Sequence, residues 1–337
     1  MVYLLMIFQL VEPQNEYLPP MKIHDRIYGS FKITSPFILK LIHSPPLQRL
    51  KKISQLGPPD SYYHLKNYSR FEHSIGVMRL LEVLGASEKE QIAGLLHDVS
   101  HAAFSHVVDW VAGSGAVEDF QDNQHEEILK KSEINNILRD FEYNPSLFFN
   151  YKHFLLLERD IPDLCADRID YVLREFPKLV AKKCLSSMTV VDKRIVFRDE
   201  ATAYLFAHHF LKRQMEHWGG YEAVTRYRLF ADVLKIALAK NIIFSKELMG
   251  NEESIVQKLE KCSDLRINKI LLTLKNKDLS ILPKQKKTVQ KKFRYVDPFF
   301  LHAEKPIRLS HVNKIFRKEL EDARLENSKG IHAGRVK

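Results

Sequence analysis

The most constraining feature of the sequence is a short segment that concentrates histidine and aspartate at the end of an apolar helix pattern. This segment, residues 94–106, reads GLLHDVSHAAFSH. Its ionisable groups follow Leu95 and Leu96, and burying such groups without partners costs free energy. Imidazole and carboxylate are ligands of divalent cations, and histidine also exchanges protons near neutral pH. We therefore predict that this segment forms the floor of a metal-dependent hydrolytic site.

Further residues of the same chemistry lie on other predicted helices. His73 falls in the first turns of one helix, and Asp167 lies on the polar face of a helix that Asp160 is expected to cap. Two imidazoles and two carboxylates suit Mn, Fe or Mg, and they do not exclude Zn. Asp163 and Asp170 share the helix of Asp167, so the sequence leaves open which carboxylate is the ligand. The predicted ligand set is His73, His97, Asp98 and Asp167.

The spacing of apolar residues predicts an all-α fold, in which helices bring the ligands to a shared central groove. Capping boxes at residues 69–72 and 87–90 begin two of these helices. The alternation of apolar residues near 22–34 and 186–198 fits small β-hairpins. With only 12 glycines and 14 prolines, the composition argues against a loop-rich β fold.

The length of 337 residues allows one large domain with an appendage, or two domains. We predict an N-terminal extension over residues 1–20 and a catalytic domain over 21–243. The remaining residues, 244–337, are expected to form a basic and mostly helical C-terminal region.

The net charge of +10 comes entirely from the C-terminal part of the chain. Residues 241–337 hold 22 Lys and Arg against 12 Asp and Glu. This excess suits a polyanion such as a nucleic acid or nucleotide phosphates, but it is equally typical of a solvated helical surface. The run Lys284–Lys292, with five lysines and no acid, leaves the same two interpretations open.

The cysteines and the N-terminus indicate the cellular compartment in which we expect the protein. Cys165, Cys184 and Cys262 have no paired spacing, so we expect a reducing, intracellular and cytoplasmic environment. The first ten residues are mostly apolar, but a bilayer span needs about 20 residues. We therefore expect no membrane partner.

Several strings of the sequence resemble the motifs of one known family. They are QRL at residues 48–50, RFEHSIGV at 70–77, GLLHDVSHAAFSH at 94–106, His125-Glu126, and ADRIDY at 166–171. In this order they resemble the HD-domain superfamily of metal-dependent phosphohydrolases. The resemblance is closest to the branch of deoxynucleoside triphosphate (dNTP) triphosphohydrolases. It extends from about Ile23 to Arg174 and implies a mainly helical HD-domain fold.

The resemblance also implies a role for individual residues. The four predicted ligands would hold the divalent metal. The residues expected to bind the phosphates and sugar of the substrate are Gln55, Arg70, Arg168 and Tyr171. The residues expected to act in catalysis, or to orient those that do, are His101, His106, His125 and Asp109.

The chemistry implied by the resemblance is hydrolysis of a nucleotide at its α-phosphate. A metal-activated water would attack the α-phosphorus, and His106 would protonate the departing 5′-oxygen. The products would be a deoxynucleoside and triphosphate. The family also tends to assemble, which implies a homo-oligomer.

The sequence departs from the family pattern at several positions. The nucleotide-activated animal members carry an aspartate where this chain has His43, and an arginine where it has Lys51. We therefore do not expect activation by a guanine nucleotide of that kind. The segment that contacts the base is also unlike the family pattern, and Tyr227 is the nearest candidate for a stacking residue.

Two alternatives to a dNTP triphosphohydrolase remain open from the sequence. The same metal site could serve a nucleoside 5′-monophosphatase or a phosphodiesterase. The other alternative is a non-catalytic module that binds nucleotides or nucleic acid through the basic C-terminal region. Such a module would bind with an affinity that falls steeply with salt.

Overall fold

The computed structural model describes residues 18–113 and 121–336 of the chain. Most of the N-terminal extension that we predict over residues 1–20 therefore lies outside the described part. Helices make up most of this part. Their bounds are α1 Pro36–His43, α2 Pro45–Arg49, α3 Arg70–Val83, α4 Glu88–Leu96, α5 Val107–Ala112, α6 Asp122–Lys131, α7 Glu133–Asp140, α8 Ala166–Glu175, α9 Lys178–Ser187, α10 Glu200–Arg213, α11 Tyr221–Ala239, α12 Glu252–Lys261, α13 Leu265–Leu274, α14 Leu309–Val312 and α15 Lys314–Ser328.

The helices are accompanied by two small sheets, so the prediction of an all-α fold is imprecise. The strands are β1 Met21–Asp25, β2 Gly29–Ile33, β3 Met188–Val191, β4 Arg194–Phe197, β5 Phe299–His302 and β6 Lys305–Arg308. Strands β1 and β2 form one antiparallel hairpin. The second sheet has the order β3-β4-β5-β6. The hairpins predicted near residues 22–34 and 186–198 are thereby confirmed.

The hairpin β5–β6 is the part of the second sheet that the sequence analysis missed. It joins β4 in parallel through a single pair, Phe197 opposite Phe300. Its two strands pair with each other over four residue pairs, and only the single contact with β4 comes from a distant part of the chain. The position of the hairpin at the edge of the second sheet therefore depends on a tertiary contact that no local pattern indicates.

Local sequence explains where the helices of the predicted site begin and end. At the start of α3, the Ser69 hydroxyl accepts from the Glu72 backbone N–H at 3.2 Å, and the Glu72 carboxylate accepts from the Ser69 backbone N–H at 2.8 Å. The Ser87 hydroxyl caps α4 in a similar way. Helix α4 ends at Leu96, so His97 is its C-cap residue. Both predicted helix starts are confirmed, but only the first is a reciprocal capping box, because the Glu90 carboxylate accepts from the Leu156 and Leu157 backbone N–H groups.

Helix α8 begins later than the sequence predicts. We expected its N-cap at Asp160, but its first residue is Ala166. The Asp163 carboxylate instead forms ion pairs with Arg194 of β4 at 2.5 Å and Arg308 of β6 at 2.7 Å. The prediction was wrong because these long-range ion pairs fix the residues before α8 in a non-helical conformation.

The apolar core consists of two clusters of buried side chains. The larger one includes Leu39 and Phe316, and the smaller one includes Phe104 and Leu271. Both clusters draw residues from either side of position 243, so the basic C-terminal region packs into the same cores as the preceding residues. Across residues 18–113 and 121–336, no helix combines the length and the apolar character needed to cross a bilayer.

The segment between α4 and α5 is held in place by residues from distant parts of the chain. The Glu252 side chain is buried, and its Oε1 accepts from the backbone N–H groups of Ser54 at 2.8 Å and Phe104 at 3.0 Å. Phe104 and Ser105 have φ values of 66° and 48°, a region that non-glycine residues rarely occupy. Arg49 also donates to two carbonyl groups of the segment, at 2.8 and 2.7 Å. These contacts stabilise a backbone conformation that local preferences disfavour.

We predict that Glu252→Gln removes a pH dependence of stability that this buried carboxyl gives to the wild-type protein. Burial raises the pKa of Glu252 from 4.5 to about 7, although hydrogen bonds from Ser54 and Phe104 lower it. The folded protein therefore holds this proton more tightly than the unfolded chain. The resulting stabilisation is complete below about pH 4.5 and is lost as the pH rises through 7, which amounts to about 3 kcal/mol.

Urea denaturation between about pH 4.5 and pH 8 would measure the free energy of unfolding. The wild type should lose about 3 kcal/mol relative to Glu252→Gln over this range. The matched control is Glu253→Gln, which removes an exposed carboxylate paired with Lys52 at 3.1 Å and should follow the wild type. Parallel curves for Glu252→Gln and the wild type would contradict the raised pKa.

Candidate metal centre

Four side chains from separate parts of the fold converge at one point. His73 lies on α3, His97 and Asp98 follow α4, and Asp167 lies on α8. The Nε2 atoms of the two histidines are 3.3 Å apart. Asp167 Oδ1 lies 2.9 Å from His73 Nε2 and 3.6 Å from His97 Nε2. Asp98 Oδ1 lies 3.4 Å from His97 Nε2, and Asp98 Oδ2 lies 3.8 Å from His73 Nε2. We call these four residues the His–Asp cluster.

Hydrogen bonds on the outer nitrogens turn both imidazoles toward the cluster. His73 Nδ1 lies 2.7 Å from Asp170 Oδ2, and His97 Nδ1 lies 2.7 Å from the Gly94 carbonyl oxygen. Because these acceptors favour a proton on Nδ1, each Nε2 offers a lone pair to the cluster. Asp170 therefore orients an imidazole, whereas Asp167 contacts both Nε2 atoms. Of the three carboxylates that the sequence left as alternative ligands, Asp163, Asp167 and Asp170, this geometry therefore favours Asp167.

The cluster concentrates negative charge that bound protons or a cation must balance. Burial would lower the pKa of His97, but the carboxylates of Asp98 and Asp167 raise it to about 9. Burial would raise the pKa of Asp98, but Arg70 and His97 hold it well below its usual value. The carboxylates are thus ionised, and they favour the protonated, positively charged form of the imidazole. A divalent cation would take the place of the imidazole protons.

The spacing of the donor atoms fits one divalent cation. Ligand atoms about 2.1 Å from a single ion lie ~3.0 Å apart in an octahedral arrangement and ~3.4 Å apart in a tetrahedral one. The donor atoms of His73, His97 and Asp98 all lie within 4.8 Å of one another, and Asp167 Oδ1 lies 2.9 and 3.6 Å from the two imidazole nitrogens. The mixed imidazole and carboxylate set is compatible with Mn, Fe, Mg or Zn.

A second group of potential ligands lies beside the first. It consists of Glu158, Cys165 and Asp167, whose donor atoms lie within 4.8 Å of one another. The Arg168 guanidinium lies against this group, because it donates to Cys165 Sγ at 3.2 Å and lies 3.6 Å from the Glu158 carboxylate. The His–Asp cluster also has an arginine beside it, Arg70, but it offers two imidazole nitrogens that the second group lacks. Within the described part of the chain, the His–Asp cluster is therefore the stronger candidate.

The cluster borders a cavity of about 800 Å³, a volume typical of small-molecule sites. His97, Asp98 and Asp167 belong to its wall. The lysine and arginine residues in its wall are Arg70, Lys152, Arg159, Arg168, Lys291, Lys292 and Arg294. The same wall holds seven acidic side chains, which are Asp98, Asp122, Glu158, Asp160, Asp163, Asp167 and Glu175, so basic and acidic groups are equal in number.

Three predicted site residues line the cavity close to the cluster. Arg70 Nη1 donates to Asp98 Oδ2 at 2.7 Å. His101 Nε2 lies 3.3 Å from Asp98 Oδ1, and burial together with Arg70 holds the pKa of His101 well below its usual value. His106 Nδ1 lies 3.2 Å from Asp109 Oδ2, which leaves Nε2 of His106 for a ligand. The structure thus brings Arg70, His101 and His106 together as predicted.

Two predicted catalytic residues, Asp109 and His125, lie behind the cavity wall. Asp109 contacts His106, as its expected orienting role requires. His125 Nε2 lies 3.1 Å from the Phe148 carbonyl oxygen, and its ring packs against Tyr151, which itself lines the cavity. Burial lowers the pKa of His125 to about 4. This placement favours a supporting role for His125 over direct contact with a substrate.

The predicted substrate-binding residues Gln55, Arg168 and Tyr171 all line the cavity. Gln55 Oε1 is buried, and none of the described residues donates a hydrogen bond to it. An unpaired buried acceptor in a cavity wall points to a ligand that supplies the donor. Arg168 is fixed by the carbonyl oxygens of Asp163 at 2.7 Å and Arg159 at 3.0 Å.

Tyr227, the predicted stacking residue, also lines the cavity. The Lys291 ammonium lies 3.9 Å from the centroid of its ring. One face of the Tyr227 ring is therefore covered by a cation, which leaves that face closed to a nucleobase. Stacking of a base on Tyr227 stays a prediction that this contact does not favour.

A hydrogen-bonded group elsewhere in the cavity wall was missed by the sequence analysis. Tyr63 Oη lies 2.8 Å from His217 Nε2, and the Glu175 carboxylate contacts His217 Nδ1 at 2.5 Å and accepts from Trp218 Nε1 at 2.8 Å. His217 and Trp218 lie in a π-helical turn, Gln214–Trp218, that continues α10. Such turns are frequent at functional sites, but a helical sequence pattern gives no signal for them.

Comparison with known proteins places this geometry in a family. A family model described as the HD domain matches residues 70–175, which include all four residues of the His–Asp cluster. The uncharacterized protein YdhJ of Bacillus subtilis is 34% identical over 325 residues, which cover 93% of this chain and 98% of YdhJ. A hypothetical protein from Aquifex aeolicus of known structure shares the fold, with a TM-score of 0.64, 20% identity and coverage of 91% of this chain and 100% of that one.

Two relatives with named activities match over shorter regions. The metal-dependent phosphohydrolase cns2 of Cordyceps militaris is 30% identical over 217 residues, which cover 61% of this chain and 63% of cns2. Human deoxynucleoside triphosphate triphosphohydrolase SAMHD1 is 36% identical over 102 residues, 26% of this chain and 16% of the human protein. Because the HD-domain model spans the His–Asp cluster and the similarity to YdhJ extends over nearly the whole chain, the protein belongs to the HD-domain family of metal-dependent phosphohydrolases.

Proposed function

We propose that the protein hydrolyses deoxynucleoside triphosphates at the His–Asp cluster. Water attacks the α-phosphorus, the bond between this phosphorus and the 5′-oxygen breaks, and the products are a deoxynucleoside and triphosphate. The observation that carries the proposal is the convergence of two imidazoles and two carboxylates at a cavity that the guanidinium groups of Arg70 and Arg168 also line. The partial similarity to a dNTP triphosphohydrolase supports the choice of substrate.

In this proposal the ligands of a divalent cation, Mn, Fe or Mg, are the four residues of the His–Asp cluster. When bound, such a cation polarises a phosphate oxygen and lowers the pKa of a coordinated water. The hydrogen bonds that His73 Nδ1 donates to Asp170 and that His97 Nδ1 donates to the Gly94 carbonyl oxygen keep the imidazoles in the orientation that binding requires.

The remaining residues near the cluster bind phosphate and transfer a proton. Arg70 and Arg168 neutralise phosphate charge, and their existing hydrogen bonds hold the guanidinium groups in place. His106 donates a proton from Nε2 to the departing 5′-oxygen. Asp109, 3.2 Å from His106 Nδ1, stabilises the imidazolium that makes this donation.

The nucleoside occupies the aromatic part of the cavity in this proposal. Tyr63, Tyr171 and Trp218 supply apolar surface there, and the Tyr171 and Trp218 rings are in contact with centroids 5.4 Å apart. The unpaired Gln55 Oε1 accepts from a sugar hydroxyl group.

Product analysis tests the proposed reaction. The purified protein would be incubated with each dNTP, each NTP and dAMP, with Mn, Mg or Fe added separately, and the products separated by ion-exchange chromatography. We expect triphosphate and a deoxynucleoside, and we expect His97→Ala/Asp98→Ala to abolish both. The double variant removes two of the four cluster donors and with them the cation.

A matched control is His302→Ala/Glu304→Ala, which removes one imidazole and one carboxylate from the exposed turn of the β5–β6 hairpin. It should retain full turnover. Orthophosphate from dAMP, without turnover of triphosphates, would contradict the proposed substrate and favour a monophosphatase. Absence of turnover with every metal, together with nucleotide binding that survives the His97→Ala/Asp98→Ala change, would favour a non-catalytic binding module.

We also predict that Asp170→Asn weakens Mn²⁺ binding about 10- to 100-fold, because the acceptor that orients His73 is altered. Asp170 Oδ2 lies 2.7 Å from His73 Nδ1, and both side chains are fully buried. Titration of the metal-free protein with Mn²⁺ in a calorimeter would measure the dissociation constant.

Tyr28→Phe is the matched control for this measurement. The Tyr28 hydroxyl donates to Asp170 Oδ1 at 2.8 Å, so its removal disturbs the same carboxylate but leaves the contact with His73. Its Mn²⁺ affinity should stay within about three-fold of the wild type. Wild-type affinity in Asp170→Asn would show that this hydrogen bond does not support the metal site.

A further inference from the structure

The cavity wall includes a stretch that lies outside the part of the chain covered by the HD-domain motifs. Residues 291–294, which read KKFR, all line the cavity that borders the His–Asp cluster. The sequence left the run Lys284–Lys292 open as a solvated loop or a nucleic-acid site, but its last two lysines belong to this wall. All residues of the cluster lie much earlier in the chain, so contacts with other segments must hold this stretch in place.

The residues that lead into this stretch pair with a segment that follows α15. We call this segment, residues 331–335, the C-terminal clasp. Val289 and Ile331 exchange backbone hydrogen bonds of 2.8 and 2.9 Å, and the Gln285 backbone N–H donates to the Ala333 carbonyl oxygen at 2.9 Å. The two segments run antiparallel. The clasp therefore fixes the path of the chain immediately before the cavity wall.

The opposite edge of the clasp is attached to α11. In an extended segment, successive backbone groups point to opposite sides. The Gly334 backbone N–H donates to Thr225 Oγ1 at 3.0 Å, and Arg228 Nη2 donates to the Gly334 carbonyl oxygen at 2.8 Å. Ala333 and Gly334 are buried. The clasp thus lies between α11 and residues 283–289 and joins this run to the helix.

Gly334 is the point at which the clasp approaches α11 most closely. A Cβ atom at this position would lie 2.7 Å from Tyr221 Oη and 3.0 Å from Thr225 Cγ2. Contacts between uncharged atoms are favourable at about 3.5–4.0 Å and repulsive at shorter distances. Any side chain here would therefore push the clasp away from the helix.

Two side-chain amides extend the attachment to the stretch that lines the cavity. Gln214, in the π-helical turn, donates to the Lys292 carbonyl oxygen at 3.3 Å and accepts from the Arg294 backbone N–H at 3.2 Å. Asn327, four residues before the clasp, accepts from Gln214 Nε2 at 3.1 Å and donates to the Lys291 carbonyl oxygen at 3.4 Å. The chain that enters the clasp thus also contacts the cavity wall.

The run between the anchors has little packing of its own. Of residues 284–290, five are exposed and two are half-buried. A segment with few buried apolar contacts opens at a low free-energy cost unless hydrogen bonds hold it. The position of this run therefore depends on its hydrogen bonds to the clasp.

We propose that the C-terminal clasp is a positioning element of the catalytic cavity, and that the clasp depends on the close approach of Gly334 to α11. Residues 331–335 all belong to the described part of the chain, and none of them lines the cavity. The clasp acts through residues 283–290, which keep residues 291–294 in the wall. The expected effect on substrate affinity rests on the proposed function, whereas the effect on the wall does not.

Hydrogen–deuterium exchange of the full-length protein, followed by mass spectrometry, tests the positioning role. In Gly334→Val, amide exchange in peptides that cover residues 284–294 should be at least about ten-fold faster than in the wild type, because the added methyl groups separate the clasp from α11. Exchange in peptides from α3 and α8 should change less than about two-fold.

Steady-state kinetics with a dNTP that the wild type hydrolyses measures the effect on the cavity. The KM of Gly334→Val should rise at least about five-fold while kcat stays within about two-fold, because a displaced wall weakens substrate binding and leaves the His–Asp cluster unchanged. A loss of folded protein would instead lower the apparent kcat and leave KM unchanged. The calorimetric affinity for Mn²⁺ should equal that of the wild type.

The matched control is Arg335→Ala, one residue further along the clasp. The Arg335 side chain is exposed, and the variant keeps the backbone N–H that donates to the Pro283 carbonyl oxygen at 2.9 Å. It should match the wild type in exchange and in KM. If Gly334→Val does not fold, Thr225→Val removes the hydroxyl that accepts from Gly334 with little change in volume. We expect about five-fold faster exchange of residues 284–294 in this variant.

Three results would overturn the proposal. These are unchanged exchange of residues 284–294 in both clasp variants, an equal increase of exchange in α3 and α8, and faster local exchange with a wild-type KM. Absence of nucleotide hydrolysis by the wild type, together with faster local exchange in Gly334→Val, would instead overturn the proposed function and leave the positioning role intact. The two proposals can therefore fail independently.

Discussion

The structure depends on the burial of two imidazoles beside ionised carboxylates, an arrangement that is stable only if every charge has a partner. The pairing of buried charges extends outward from the His–Asp cluster. Asp170 contacts His73 and accepts from Arg174 Nε at 2.7 Å, and Arg174 in turn lies 2.9 Å from Asp25 of β1. The small N-terminal hairpin is thus connected to the cluster through a chain of ion pairs. Hydrogen-bonded networks of this kind orient metal-binding side chains.

The same network explains a glycine within the motif RFEHSIGV. A Cβ atom at Gly76 would lie 2.0 Å from Arg174 Nη2 and 2.2 Å from Asp170 Oδ1. Any larger residue would therefore displace the ion pair that orients His73. The requirement comes from close packing of α3 on α8, and local backbone preference plays no part in it, since Gly76 lies inside a helix.

Residues after position 243 contribute to the same cores and to the same cavity as the residues before them. Glu252 of α12 accepts from the Phe104 backbone N–H and so holds the segment that carries His101 and His106. Residues 291–294 line the cavity, and Gln214 of the π-helical turn donates to the Lys292 carbonyl oxygen. The positive charge that the sequence concentrates after residue 240 thus lies partly in the cavity wall.

The sequence by itself determined the parts of the protein that depend on neighbouring residues. The helix starts at Ser69 and Ser87 and the first two hairpins follow from local patterns, and adjacent His97 and Asp98 mark a segment that borders the cavity. Tertiary structure decided which carboxylate contacts both histidines, where α8 begins, and that β5 and residues 291–294 reach earlier parts of the fold. These features depend on ion pairs and packing between residues far apart in the chain, and no local pattern encodes such contacts.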